Sequence, residues 1–441
     1  MKIPFIITAS VCFYTSSVFA NLVPVDQALK HLNSIEQRIE SSINRTKRLP
    51  ALIPQTSLDE LKAQVNQPLS NLPSVINISI NNQHNMFVDV EVEGGFRAIQ
   101  HQWLLMANAE QLSALKKHDV TIISVKNYSS LGMSLVRFNV AKNIDSKAQL
   151  VKKLNLTDAA LLDRNHVYQA QTSTAVLTTV IAQTPQPFCQ SSAKIGIIDS
   201  AINKQHRAFT NAKIINRSFL PDGLNSPILH GTAIAGLLVG SSNELTPLLG
   251  NAYLYSAEVF YRQSEFAQGA TLFAIVEALD WLAHEKVKVI NMSLTGPDNA
   301  ILKTSIEAAI KQNSLIVAAA GNEGPAAKPL FPAAYHSVIA VSAIDNNNQL
   351  YRWSNNGDYI DFSALGVNVF TALGNGEFGK ESGTSMAAPH VSAALSCLLV
   401  KHKNNKTKAL DELTSLAHDL GEQGKDSRFG YGAIYRPKSA L

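Results

Sequence analysis

The sequence predicts an α/β protein: a three-layer, mostly parallel, doubly wound sheet over residues 194–441, preceded by a smaller α+β unit over 76–171. Two observations carry that expectation. From Lys194 onward, short apolar runs alternate with longer stretches of helical period. Lys194–Ile198, Tyr253–Val259, Val287–Met292, Leu315–Ala320 and Val338–Ala343 read as strands, and Thr271–His284 and Leu302–Gln312 as helices between them. Continuous apolar strands separated by helices mark a parallel sheet covered on both faces. Residues 85–170 have a different rhythm. Trp103–Met106 reads as a strand, Ala109–His118 as a helix, Val120–Val125 and Met133–Val140 as strands around a turn near Ser130–Gly132. Ser146–Leu154 reads as a helix, and a last extended piece ends near Gln171. Strand, helix, strand, strand, helix, strand is the split βαβ order of ferredoxin-like units.

The remaining segments follow in chain order. Lys2 precedes an apolar stretch from Ile3 to Tyr14, and Val18-Phe19-Ala20 offers small residues around a cleavage point, so 1–20 reads as a secretory signal peptide. Bulky Val11 before Cys12 argues against a lipid anchor. In the segment 21–75, Leu29, Leu32, Ile35, Ile39 and Ile43 recur at helical spacing over 25–46, and four prolines then break the pattern. Residues 172–193, rich in Thr, Gln, Pro and Ser, read as an exposed linker. Past residue 20 no apolar run is long enough to span a bilayer, so no membrane partner is expected. A net charge of +4 without blocks of like charge gives no reason to expect nucleic acid. Cys189 and Cys397 remain after processing; an exported protein can oxidise them, and a bridge and two separate thiols both stay open.

Three strings in the last region carry chemistry. In Lys-Ile-Gly-Ile-Ile-Asp-Ser-Ala-Ile (194–202), an apolar strand ends on Asp199, and α/β sheets gather functional groups at the carboxyl ends of strands. In His-Gly-Thr-Ala-Ile-Ala-Gly (230–236), a potential general base precedes a glycine that lets another chain approach. In Gly-Thr-Ser-Met-Ala-Ala-Pro-His-Val (383–391), Ser385 opens a small-residue helix whose dipole favours negative charge beside it. Taken singly, Asp199 also suits a turn, His230 a structural loop and Ser385 a plain helix cap.

Together, in the order Asp…His…Ser, these strings resemble the subtilisin-like serine peptidases. Val-Ile-Asn-Met-Ser-Leu (289–294) is similar to that family's substrate-binding strand, and Ala-Ala-Ala-Gly-Asn-Glu-Gly (318–324) to its oxyanion segment. The resemblance implies a serine endopeptidase acting on protein or peptide substrates, with Asp199, His230 and Ser385 as the triad and Asn322 as an oxyanion donor. It implies substrate contacts from Ser293, Leu294, Thr295, Ala319, Ala320 and Gly321. It makes 76–171 a propeptide that assists folding and inhibits intramolecularly, with processing between about 169 and 190. The implied product is an exported monomer, periplasmic or extracellular. Two departures stand out. Thr295 replaces the family's usual Gly, and Leu330 falls near the pocket floor, which predicts a narrowed S1 pocket for small or medium apolar side chains. Ala208 stands where relatives with a tight Ca²⁺ site carry an Asp, so no metal and no cofactor is expected, with a weak Ca²⁺ site elsewhere left open. Two rivals are an inactive homologue serving as a scaffold and an esterase of the α/β-hydrolase type. The second wants Gly-x-Ser-x-Gly and the reverse residue order, whereas Ala387 stands at its second glycine.

Overall fold

The computed structural model describes residues 72–80, 84–156, 161–170, 176–177, 186–265 and 267–436. The expected signal peptide, the helix over 25–46 and most of the connection that comes after it lie outside the described residues. The first element group is β1 (Val75–Ile80), β2 (His84–Glu91), β3 (Arg97–Met106), α1 (Ala109–Leu115), β4 (Thr121–Tyr128), β5 (Met133–Asn139), α2 (Lys147–Leu154) and β6 (Leu162–Ala170). A two-residue strand, β7 (Val176–Leu177), comes next. Then come β8 (Lys194–Asp199), β9 (Lys213–Ser218), α3 (His230–Val239), β10 (Tyr253–Glu258), β11 (Phe260–Arg262), β12 (Gln268–Thr271) and α4 (Leu272–His284). The chain continues through β13 (Val289–Met292), β14 (Leu294–Thr295), α5 (Ala300–Lys311), β15 (Leu315–Ala319), β16 (Ile339–Ile344) and β17 (Ile360–Leu365). It closes with β18 (Val369–Ala372), β19 (Phe378–Glu381), α6 (Thr384–Lys401), α7 (Lys406–Leu416) and β20 (Ala433–Ile434).

The central sheet runs β20-β17-β16-β15-β13-β8-β10-β9, and every neighbouring pair in it is parallel. The two-residue period of its strands sorts side chains between two helical layers. Ile195, Ile197, Val289, Val317 and Val341 pack with α3, α6 and α7. Ile198, Ile290, Ile316, Ala318 and Ala340 face the other way, toward α4 and α5. Burial on both faces explains why these strands are apolar without a break. β9, at one edge of the sheet, is the exception: its residues are mostly exposed, so it carries no continuous apolar signature.

The second sheet is built mainly by the first element group. Its path is β1-β2-β3-β6-β12-β11, with β14 also on β6, β5 on β3 and β4 on β5. β3 serves two partners on one side. Arg97–Ile99 pair with β2 and Gln102–Met106 with β5, the change falling at a register shift that contains His101 in the left-handed region at φ 57°. One face of this sheet carries Trp103, Leu105, Val136, Phe138 and Leu162 against α1 and α2. The other carries Leu104, Met133, Leu135 and Tyr168 into the cluster formed with α4 and α5. Both sheets therefore share the layer formed by α4 and α5.

Polar groups complete that junction. The Asn165 Oδ1 accepts from the Phe273 N–H at 3.0 Å, at the start of α4. Asp280 accepts from the Ser130 and Leu131 N–H groups. Asn299, which caps α5, donates to the Arg164 carbonyl and bonds His166 Nδ1 at 2.9 Å. Asp89 is fully buried and accepts from Arg97 Nε, Tyr261 Oη and Gln263 Nε2 at 2.7, 2.7 and 2.6 Å.

The expectation of an exposed linker over 172–193 needs correction at its described end, 186–193. Phe188, Cys189 and Ala193 are buried, and Cys189 forms a disulfide with Cys397 of α6. Polar neighbours hid this: Phe188 and Cys189 are a short apolar anchor inside a stretch of Gln, Pro and Ser.

Candidate active site

Asp199 is the last residue of β8, so the apolar strand delivers a buried carboxylate to the carboxyl edge of the central sheet. Its Oδ1 accepts from the Ser200 N–H at 2.7 Å and faces His230 Nδ1 at 2.8 Å, with Oδ2 at 3.0 Å. An ionised carboxylate only accepts, so Nδ1 carries the hydrogen and Nε2 is the basic nitrogen of the neutral ring. Nε2 is buried and has no hydrogen-bond partner among the described residues. Burial opposes the imidazolium, but the charge and hydrogen bond of Asp199, with the charge of Glu381, outweigh it, and the His230 pKa is raised.

His230 is the first residue of α3, and the close approach beside it depends on Gly231. A Cβ there would lie 2.1 Å from the Ser200 carbonyl oxygen. The Gly231 N–H donates to Ser200 Oγ at 2.8 Å, which ties the ends of β8 and α3 together.

Ser385 is the second residue of α6 and is buried. Gly383, at φ 142°, adopts a conformation that suits glycine and lets the chain turn into the helix. Pro389 lacks the N–H that would bond the carbonyl four residues back. That carbonyl is Ser385's, and Ser293 Oγ donates to it at 3.2 Å instead. Ser293 Oγ in turn accepts from Asn291 Nδ2 at 2.9 Å, and Asn291 Oδ1 accepts from Ser392 Oγ at 3.1 Å. The proline in the serine's helix thus creates the vacancy by which β13–β14 is fastened beside it.

Asn322 is fixed by the residue before Ser385. Its Oδ1 accepts from the Thr384 N–H at 2.9 Å and from Thr384 Oγ1 at 3.0 Å. The oxygen end of the amide is thereby committed, and the nitrogen end is the donor. Gly321, at φ 115°, has no room for a side chain: a Cβ would lie 2.9 Å from Asn355 Nδ2 and 3.0 Å from Leu330 Cδ1. Ala319, Ala320 and Leu330 are buried around it. His390, also on α6, is no rival base. Burial, helped by the charge of Arg436, lowers its pKa to about 3 despite a bond to the Met386 carbonyl.

Ser293, Leu294 and Thr295 are buried, and the groove they border is filled by β6. Leu294 pairs antiparallel with Ala170 and Thr295 with Gln169, while Gly269 of β12 pairs with Gln169 from the other side. Tyr168 is fully buried there, its hydroxyl donating to the Pro297 carbonyl at 3.1 Å. The motif strings named Asp199, His230, Ser385, Asn322 and the 293–295 strand. They did not name Asn291 or Thr384, whose only signal was a polar side chain inside an apolar or small-residue run.

Residues 190–432 match the model of the Subtilase family, Peptidase S8. The minor extracellular protease Epr of Bacillus subtilis is 32% identical over 55% of this chain and 37% of its own length. Subtilisin E of Bacillus subtilis is 33% identical over 54% of this chain and 63% of its own. A subtilisin of Bacillus pumilus is 33% identical over 56% of this chain and 90% of its own. The chain thus spans less than two thirds of the first two. Among solved structures, the epidermin leader peptide processing serine protease (EpiP) S393A mutant of Staphylococcus aureus superposes with a TM-score of 0.60. It covers 76% of this chain and 97% of its own, and at 19% identity it speaks to the fold alone.

Proposed function

The chain belongs to the subtilase family, and on that premise we propose that it is an exported serine endopeptidase made as a proenzyme. Ser385 Oγ attacks the scissile carbonyl and passes its proton to His230 Nε2. Asp199 holds the ring in the tautomer that leaves Nε2 basic and stabilises the imidazolium that forms. The imidazolium then protonates the leaving amine, and water repeats the cycle on the acyl-enzyme. Asn322 Nδ2 and the Ser385 N–H, at the positive end of α6, face the developing oxyanion. The reading needs no cofactor. The observation that carries it is the buried Asp199–His230 pair, bonded at 2.8 Å with the second ring nitrogen unengaged among the described residues, His230 standing on a helix packed against the one that Ser385 opens.

The segment 76–171 is the inhibitor in this reading, and β6 is its tail in the substrate groove. One further step of the β6 register from the Leu294–Ala170 pair meets Ser293, which is bonded to Ser385. The proposed processing bond is therefore the one after Gln171. That makes Gln171, with a medium polar side chain, the residue before the cut, where the sequence led us to expect small or medium apolar ones. Export is supported by the apolar N-terminus and by a relative named as an extracellular protease. N-terminal sequencing of the exported product, wild type beside Ser385→Ala, tests the whole. We expect a start at Thr172 for wild type and no cut in the variant. A start before residue 150, or equal processing of both, overturns the proenzyme reading. Failure of Ser385 to take a fluorophosphonate label overturns the peptidase reading.

A further inference from the structure

Beyond the groove that β6 fills, the same chain is gripped a second time. β18 and β19 form an antiparallel hairpin, and the far edge of β19 is taken by β7, with Lys380 opposite Val176 and Gly379 opposite Leu177. Ala170 and Val176 are the ends of a short span: 176 − 170 = 6 steps, or at most about 21 Å of extended chain. β19 leads straight to the chemistry. From Glu381 to Ser385 is 385 − 381 = 4 steps, and the charge of Glu381 acts on His230. The chain therefore pairs antiparallel with β14 up to Ala170 and antiparallel with β19 from Val176, on either side of the proposed scissile bond.

We propose that this far edge of β19 is a docking strand for the leaving side of a substrate polypeptide, which adds to it as an antiparallel strand. The proposal rests on the peptidase reading above and extends it to residues well past the bond that is cut. With cleavage after Gln171, Val176 and Leu177 are the fifth and sixth residues on the leaving side. The partner chemistry is backbone: an edge strand presents unpaired N–H and C=O groups, so an extended chain of almost any sequence completes the ladder. A structured loop or a proline in that stretch does not. Long unfolded chains are thus better substrates than short peptides. In the processed enzyme the chain's own Val176–Leu177 competes for the same edge, because it remains tied in through Cys189 and Cys397.

The test uses the processed enzyme and two fluorogenic peptides with the same sequence before the scissile bond. One carries two residues after it and the other eight. Both are run on wild type and on a variant with Val176→Pro and Leu177→Pro, which removes the competing donors from the chain's own strand. The expected result is a kcat/KM about tenfold higher for the long peptide on the variant, carried mainly in KM, with a smaller gain on wild type. Ladder hydrogen bonds alternate along an antiparallel pair, so N-methylation of the long peptide at one of residues five and six should abolish the gain. Equal kcat/KM for the two peptides on the variant overturns the proposal, as does a gain that survives N-methylation at both positions. No cleavage of either peptide by wild type sinks the peptidase reading instead.

Discussion

Gly296 comes directly after β14 and touches the ring of Tyr168, and replacing it by Ala should loosen β6, the inhibitory strand of the proposed proenzyme. A Cβ at 296 would lie 2.4 Å from Tyr168 Cδ1, 2.7 Å from Cε1 and 3.0 Å from Cγ. Carbon atoms in contact sit at about 3.5–4.0 Å, so the ring must withdraw by about an ångström. It cannot do so freely, since Tyr168 is fully buried and bonded through its hydroxyl to the Pro297 carbonyl. Overpacking of this kind costs about 1–3 kcal/mol. At about 1.4 kcal/mol per tenfold, that weakens the hold on β6 roughly 5- to 140-fold. The assay is inhibition of processed enzyme by the released 76–171 fragment, with active sites counted by fluorophosphonate labelling. Tyr168→Ala in the fragment removes the clashing ring, so the two substitutions should couple strongly in a double-mutant cycle. Unchanged inhibition of Gly296→Ala, or strictly additive effects, would show that the ring does not pack on Gly296.

Three further outcomes rest on the same geometry. The raised His230 pKa predicts that kcat/KM falls as pH drops through a value above the ordinary histidine one of 6.5, because the ring must be neutral to act as base. Asp199→Asn should move that limb to lower pH and cut kcat by about 10⁴; a limb that stays put in a pH–rate profile would count against the assigned pair. Asn322→Ala should lower kcat with little change in KM, by roughly 10²–10³, a magnitude taken from a subtilisin asparagine rather than worked from this site. A change confined to KM in steady-state kinetics would deny it the oxyanion role. The Cys189–Cys397 bond closes a sequence separation of 208 residues. Replacing both by Ser in the Ser385→Ala background should cost about 2–5 kcal/mol by chain entropy, and calorimetry showing an unmoved Tm would refute it.

The proposed reacting residues were legible because each lies where the chain's local constraints are severe. Asp199 ends a strand too apolar to tolerate a carboxylate without purpose. His230 precedes Gly231, whose missing Cβ is forced by the Ser200 carbonyl at 2.1 Å. Ser385 sits between Gly383 and Pro389, whose conformational demands are readable in one dimension. The alternation of strands and helices after Lys194 was legible for the same reason, since burial on two faces leaves a continuous apolar signal. Strand partnership, by contrast, could not be read. The pairing of β6 with β12 and β14 joins residues about 100 or more apart in the chain. A strand's sequence records which face is buried and not its neighbour. β7 has two residues and leaves no periodic trace. Asp89 carries no local signal of its burial, because its partners Tyr261 and Gln263 lie 172 and 174 positions away.

In the proposed proenzyme, the same long-range contacts let the N-terminal unit act on the folding of the region from Lys194 onward. The central sheet is parallel and its strands are remote in sequence, so loop closure must precede any reward from pairing. In that reading β6 supplies the reward early. It pairs with β12 just before α4 and with β14 just before α5. Its Asn165 takes the Phe273 N–H at the start of α4, and Asn299 at the start of α5 reaches back to Arg164 and His166. Two helices are thus seated by one strand, and those two helices form the layer on which the central sheet packs its Ile198, Ile290 and Ile316 side. These bonds are worth about 0.5–1.5 kcal/mol each, and water can replace them at an exposed helix end. A template joined by many such bonds can guide assembly and still be surrendered. The apolar contacts of Leu104, Met133, Leu135 and Tyr168 have no such substitute, and in the proposed proenzyme they are the part of the junction that keeps the strand in the groove until it is displaced.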